Sequence, residues 1–282
     1  MSRYKIVQIT DTHLTPENAV AANNQKIDPY LKLASIFTDI SQMIIKPDLI
    51  VITGDLIHEG KAKDYERLAR WIAEQKEQLQ IPIQVILGNH DRTKAFFEGY
   101  LKQSEQKKYY YSMSTDEYDF YFLDSKFYNY EQGYLGQEQL DWLKSNLDKN
   151  QNKYAVLFLH HPVDGPAIHH MRYSILQETD ELLSVISNSS VQAVFSGHIH
   201  FETSFTKNGI LMHSTDSSAY HINCDDAHKH LIYDATYYDV ITIDNGEIGT
   251  ETKCIYEGQE VINHVNVDNT EFVDKKIFKE CN

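Results

Sequence analysis

Cysteine is scarce in this 282-residue chain: Cys224, Cys254 and Cys281 are odd in number, far apart, and include no Cys-x-x-Cys pair. A disulfide framework is therefore excluded, and a reducing compartment is expected. Basic residues are also short, 26 Lys and Arg against 41 Asp and Glu, for a formal net charge of −15. Neutralising a nucleic-acid backbone needs clustered Lys and Arg, so duplex nucleic acid is excluded as a partner. A small anionic substrate is not excluded, because a bound metal outweighs a diffuse surface field at short range. No stretch approaches the roughly 18 consecutive apolar residues of a membrane helix, so no membrane span is expected. The opening run Ile6-Val7-Gln8-Ile9 is short and leads straight into Asp11, unlike a secretory signal. A cytoplasmic protein is the expectation. Internal repeats and low-complexity tracts are lacking too.

What the chain does have is an alternation of strand and helix patterns. Short β-rich runs cover 4–10, 48–53, 83–87, 154–159 and 191–195. Between them, Leu31, Ala34, Ile36, Phe37, Ile40 and Ile44 form a helical stripe closed by Pro47. Tyr65, Leu68, Ala69 and Ile72 predict a return helix over 62–79, and further helices are expected near 93–102, 137–147 and 174–187. Tyr109–Ser112 and Tyr118–Leu123 read as an antiparallel pair. Beyond residue 200 come short β runs at 201–206, 210–214, 237–243 and 247–256, with turns at Asn208-Gly209 and Asn245-Gly246. Residues 216–236 read as an extended loop. The pattern predicts an α/β fold, a two-sheet β-sandwich flanked by helices, over residues 1–257. Residues 258–282 read as a polar extension packing on the domain or on a second copy in a homodimer.

Five polar blocks stand just after apolar runs: Asp11-Thr12-His13, Gly54-Asp55, Gly88-Asn89-His90-Asp91, His160-His161 and Gly197-His198-Ile199-His200. The carboxyl ends of strands are where α/β proteins build sites, so the blocks read as one binuclear metal centre. In extended chain, residues two apart share a side. That lets Asp11 with His13, and His198 with His200, each reach one cation. Asp55 has two oxygens with which to bridge two cations, Asn89 offers an amide oxygen, and His160 offers an imidazole. Nitrogen and oxygen donors without thiolate suit Fe, Mn, Zn or Co. His161, adjacent to a ligand at a strand end, is expected to point away. His58 either approaches the site or only lines its loop.

Taken in order, Asp-x-His, Gly-Asp, Gly-Asn-His-Asp, His-His-Pro and Gly-His-x-His resemble the calcineurin-like binuclear metallophosphoesterases over roughly residues 4–250. The resemblance implies a four-layer αββα fold and two metal ions. It implies that Asp11, His13, Asp55 and His200 hold one ion, and that Asp55, Asn89, His160 and His198 hold the other. His90 would face the substrate phosphate, with Asp91 orienting its imidazole. A hydroxide shared between the cations would attack phosphorus, and the leaving oxygen would take a proton from His90 or from a bound water.

The middle of the chain is similar to the class III cyclic-nucleotide phosphodiesterases. The pieces are Gly54-Asp-Leu-Ile57 before a Tyr-containing helix, Leu123-Asp-Ser125, and Gly133-Tyr-Leu-Gly-Gln-Glu-Gln-Leu-Asp-Trp-Leu143. That similarity implies hydrolysis of a 3′,5′-cyclic nucleotide, such as cAMP, to the 5′-monophosphate. The alternatives are another phosphoester (a nucleotide diester, glycerophosphodiester, pyrophosphate or phosphomonoester) and a noncatalytic scaffold. The scaffold is disfavoured because all seven ligand positions and His90 are present.

Overall fold

In the computed structural model, which describes residues 3–226 and 228–267, strands β1 (Tyr4–Ile9), β2 (Leu49–Thr53) and β3 (Ile83–Ile86) run parallel. Helices α1 (Pro29–Gln42) and α2 (Ala62–Leu79) make the two crossovers. Asp28 starts α1 by accepting a hydrogen bond from the Tyr30 amide, and Pro29 sits in the first turn, where its missing N–H costs nothing. A short helix α3 (Thr93–Phe96) runs on into a π-turn over Phe97–Leu101.

The second sheet holds β4 (Tyr111–Ser114), β5 (Tyr118–Phe122), β6 (Tyr154–Phe158), β7 (Val191–Ser196), β8 (Thr203–Lys207) and β9 (Ile210–Ser214). Its spatial order is β4-β5-β6-β7-β9-β8, parallel in the middle and antiparallel at both edges. Helices α4 (Gln137–Lys149) and α5 (Thr179–Ile186) cover its outer face. The chain then returns to the first sheet through β10 (His221–Asn223), β11 (Lys229–Asp244) and β12 (Glu247–Asn266). There β11 lies antiparallel to β1 on one edge and to β12 on the other.

The layers follow from which residues meet. Ile6, Val51 and Ile86 of the first sheet pack on Phe120, Phe158 and Phe195 of the second, filling the space between sheets. Val7, Ile50 and Val85 face the other way, onto Ile36, Phe37 and Leu68 of α1 and α2. Leu157 and Val194 face Leu143 and Leu182 of α4 and α5. Strands buried on both faces explain the nearly continuous apolar runs in the sequence. The fold is the expected two-sheet sandwich flanked by helices.

Three expectations need correction. Leu31 and Ile44 do not belong to the buried stripe of α1; they are 63% and 101% exposed, and Leu33, Ile36, Phe37 and Ile40 carry the packing. Residues 216–236 are not one extended loop, because β10 and the first half of β11 lie within them, paired Ile222 to Ile232. The last strand does not stop at 258: β12 crosses that point unbroken, with Leu231 beside His264, so residues 258–266 pack on the domain, the first of the two alternatives. Ladder pairing along a long β11 overrides the polar composition there. Residues 268–282, the rest of the expected extension, lie outside the described residues. Among the described residues, no helix is long and apolar enough to cross a membrane.

Candidate metal centre

All five blocks arrive at one edge of the sandwich, each on the loop after a parallel strand. The loops are laced together by their backbones: Asp11 N donates to Gly54 O (3.1 Å), His13 N to Asp55 O (2.8 Å) and Gly197 N to His160 O (3.0 Å). The chain is not extended at the ligands, as the sequence spacing had suggested. Asp11, His13, Asp55, His198 and His200 have φ of 51, 39, 49, 73 and 56°. Non-glycine residues avoid this left-handed region, Asp and His less than most, and each such residue costs about 1–3 kcal/mol. Five together at one place mark a site whose geometry is imposed by the surrounding structure. Gly88 permits the close approach: a Cβ there would stand 2.2 Å from Asp55 Oδ1.

The side chains divide into held atoms and inward atoms. Asp11 Oδ2 accepts from Thr10 Oγ1 (2.6 Å) and His198 N (2.8 Å), while Asp11 Oδ1 is buried without a hydrogen bond. Asp55 Oδ1 accepts from His90 N at 2.9 Å, and its Oδ2 lies 3.5 Å from both His13 Nε2 and His160 Nε2. The outward nitrogens are also engaged: His160 Nδ1 with Thr53 O (2.9 Å), His200 Nδ1 with Tyr220 O (2.7 Å), and His198 Nε2 with Ser174 Oγ (2.7 Å). What remains points inward. His200 Nε2 lies 3.2 Å from Asp11 Oδ1 and 3.2 Å from His13 Nε2. His160 Nε2 lies 3.0 Å from Asn89 Oδ1 and 3.2 Å from His198 Nδ1. Seven inward donor atoms thus converge, and those of Asp11, His13 and His200, and of Asp11, Asp55 and His160, are close enough to share a cation.

Lone pairs facing lone pairs need positive charge between them. Without a cation, only protons can supply it. Burial lowers the His160 pKa, but Asp55 and Asp11 outweigh burial and raise it to about 9; His200 is likewise raised, by Asp11 against burial. His198 is pushed down to about 3 by burial and by the charge on His160. Asp55 is held well below the usual carboxylate range, its burial overcome by His160 and His90. The donor set, the unpartnered Asp11 oxygen and the bridging position of Asp55 fit two metal ions.

The structure corrects two expectations about neighbours. Asp91 does not touch the His90 ring. Its carboxylate accepts from the amides of Gly88 (2.9 Å), Leu56 (3.1 Å) and Ile57 (3.2 Å) and from Tyr65 Oη (2.7 Å). It braces the loop that carries Asn89 and His90, which also explains the Tyr in the helix after Gly54-Asp55. His161 does not point away. Its Nδ1 bonds Ser125 Oγ at 2.8 Å, its ring packs on His198 (centroids 4.4 Å apart), and its Nε2 is buried without a partner.

His90 is half-buried and stacks on His58 (4.5 Å, 27°), while His58 Nδ1 and His13 Nδ1 share a 3.1 Å hydrogen bond. His58 therefore approaches the site. Tyr220 covers the opposite side, stacked on His200 at 4.3 Å, and Glu131 accepts from Asn89 Nδ2 at 3.2 Å. Nothing in the sequence around Tyr220 or Glu131 marks them.

The segments at 123–125 and 133–143 act as scaffolding. Gln139 clasps the Asp124 backbone, accepting from its N and donating to its O, both at 2.8 Å. Glu178 accepts from the amides of Leu135 and Gly136.

The sequence profile of the calcineurin-like phosphoesterases matches residues 4–202, a span holding all seven donors. The chain belongs to the calcineurin-like phosphoesterase family. Among the relatives of this calcineurin-like phosphoesterase, the "Probable glycerophosphodiester phosphodiesterase GpdQ" of Arcobacter nitrofigilis is 30% identical over 78% of this chain and 80% of its own length. The "3′,5′-cyclic adenosine monophosphate phosphodiesterase CpdA" of Haemophilus influenzae is 28% identical over 90% and 91%. A dimetal phosphatase from Danio rerio shares the fold, with a TM-score of 0.59 at 14% identity over 88% of this chain and 98% of that one.

Proposed function

We propose that this metallophosphoesterase hydrolyses 3′,5′-cyclic nucleotides, cAMP foremost, to the 5′-monophosphate. The observation that carries the reading is the convergence of seven inward nitrogen and oxygen donors, in a chain similar over nine-tenths of its length to a protein named for that activity. In this reading Asp11, His13, Asp55 and His200 hold one ion, and Asp55, Asn89, His160 and His198 hold the other. Bound there, two ions supply charge neutralisation at phosphorus and acidify a water. Fe, Mn or Zn suits the donors.

The protein's own groups do the rest. His90, half-buried beside His58, presents its imidazole to a phosphoryl oxygen and passes a proton to the leaving 3′ oxygen. Tyr220 and Ser174 fix the imidazoles of His200 and His198, so little reorganisation is needed as charge develops. The thiols of Cys224 and Cys254 are free, in keeping with a cytoplasmic enzyme.

A second reading, hydrolysis of glycerophosphodiesters, is favoured by the name of the 30%-identical relative. The deciding experiment gives metal-reconstituted protein cAMP, cGMP, glycerophosphocholine and bis-p-nitrophenyl phosphate, with a chelated control. Chelator-sensitive conversion of cAMP to 5′-AMP well above the other rates is the expected outcome. Preference for glycerophosphocholine would replace the first reading by the second.

A further inference from the structure

A carboxylate stands at the open side of a centre built for an anion. Glu131 is exposed on the loop after Lys126, and it accepts the Asn89 amide hydrogen at 3.2 Å while Asn89 Oδ1 faces His160 Nε2 at 3.0 Å. One amide group thus separates this charge from the cluster of metal donors. The loop is tied down at the ligand itself: buried Lys126 donates from Nζ to Asn89 O at 2.8 Å and to Tyr128 O. Lys108 holds the carbonyls of Asp124, Lys126 and Tyr134 from below. Arg92, at the same loop, is engaged with Glu59 (2.9 Å) and Asn129 Oδ1 (3.0 Å). Among the described residues, Glu131 has no ion-pair partner.

Building on the phosphodiesterase reading, we propose that Glu131 is a specificity-determining residue. It holds the Asn89 amide with its oxygen towards the ions and disfavours phosphomonoester dianions relative to phosphodiester monoanions. Every phosphate ligand is drawn to the ions, but a dianion carries one more charge into the field of the carboxylate. For charges a few ångströms apart, between the dielectric of a surface pair and that of bulk water, that extra charge is worth roughly tenfold in affinity. The same term favours release of product, since hydrolysis turns a monoanionic diester into a dianionic monoester.

Glu131→Gln removes the charge and keeps an acceptor for Asn89; Glu131→Ala removes both. The probes are inorganic phosphate and dimethyl phosphate, titrated calorimetrically into Mn²⁺-loaded protein at pH 8, with metal content measured separately. For Glu131→Gln, metal content should be unchanged and binding of phosphate relative to dimethyl phosphate should strengthen about tenfold. The ratio of p-nitrophenyl phosphate to bis-p-nitrophenyl phosphate turnover should rise in step. Glu131→Ala should show the same change together with weaker metal retention. An unchanged binding ratio in Glu131→Gln would overturn the inference, as would loss of metal in Glu131→Gln. Failure of the wild type to cleave any diester would instead overturn the phosphodiesterase reading, and the binding ratio would still judge Glu131.

Discussion

Asp11 Oδ1 lies 3.2 Å from His200 Nε2, buried and with no hydrogen bond of its own. The other oxygen of the same carboxylate is bonded twice. A buried carboxylate oxygen left this way costs free energy unless a cation meets it. Ions and protons compete for the same atoms here, which gives the first prediction. Loading should release protons, and metal affinity should climb with pH towards the His160 pKa of about 9. Calorimetry in two buffers of different ionisation heat measures both; an affinity flat from pH 6 to 9 would reject it. The sign for stability is opposite. A His pKa raised from 6.5 to about 9 stabilises the ion-free fold fully below pH 6.5, and that contribution fades as pH rises through 9.

Asp55 Oδ2 is equidistant, 3.5 Å, from His13 Nε2 and His160 Nε2. Asp55→Ala should therefore lose both ions, whereas Asn89→Ala should lose one. Metal analysis after desalting decides, and an Asp55→Ala protein that keeps two ions would remove the bridging role.

Gly88→Ala places a methyl 2.2 Å from Asp55 Oδ1 and 2.4 Å from Asp55 N. Overpacking of this kind costs about 1–3 kcal/mol, and the site is where it must be relieved. A folded protein with reduced metal content and turnover down at least about a hundredfold is expected. Full rate and full metal would mean the loop has slack.

His90 and Asp91, adjacent in sequence, should fail differently. Asp91→Asn breaks a four-bonded buried brace and should cost about 2–3 kcal/mol, read as a fall in Tm. His90→Gln should leave Tm and metal content in place and lower kcat by about 10²–10⁴-fold. A kcat loss in Asp91→Asn larger than that of His90→Gln, at unchanged Tm, would restore Asp91 to the chemistry.

Strands β1, β2, β3, β6 and β7 are legible because burial on both faces writes them as apolar runs, and each donor sits two to four residues beyond. The donor set was legible for the same local reason. The left-handed backbone of Asp11 and His200 was not, since no residue pattern reports φ. An extended strand end would turn His161 outward; the Ser125 hydroxyl and the His198 ring hold it inward instead. The partner of Asp91 is not legible because Tyr65, 26 positions earlier, competes for it. The N-terminal half of β11 is not legible as a strand because its polar residues owe their form to ladder pairing with β10 and β12 rather than to an apolar run.

Tyr220 roofs His13 and His200 from a segment lashed to β1, where Ser217 Oγ donates to Asp11 O and Ser218 N to Thr10 O, each at 3.0 Å. Buried Lys32 clamps that segment through Ala219 O and Asp234. All of it save Lys32 and β1 lies beyond residue 202, where the family profile ends. The seven inward donors and the Tyr220 wall that covers two of them are thus drawn from different stretches of the chain. Substitutions beyond residue 202 can therefore reshape that wall while the seven donors keep their places.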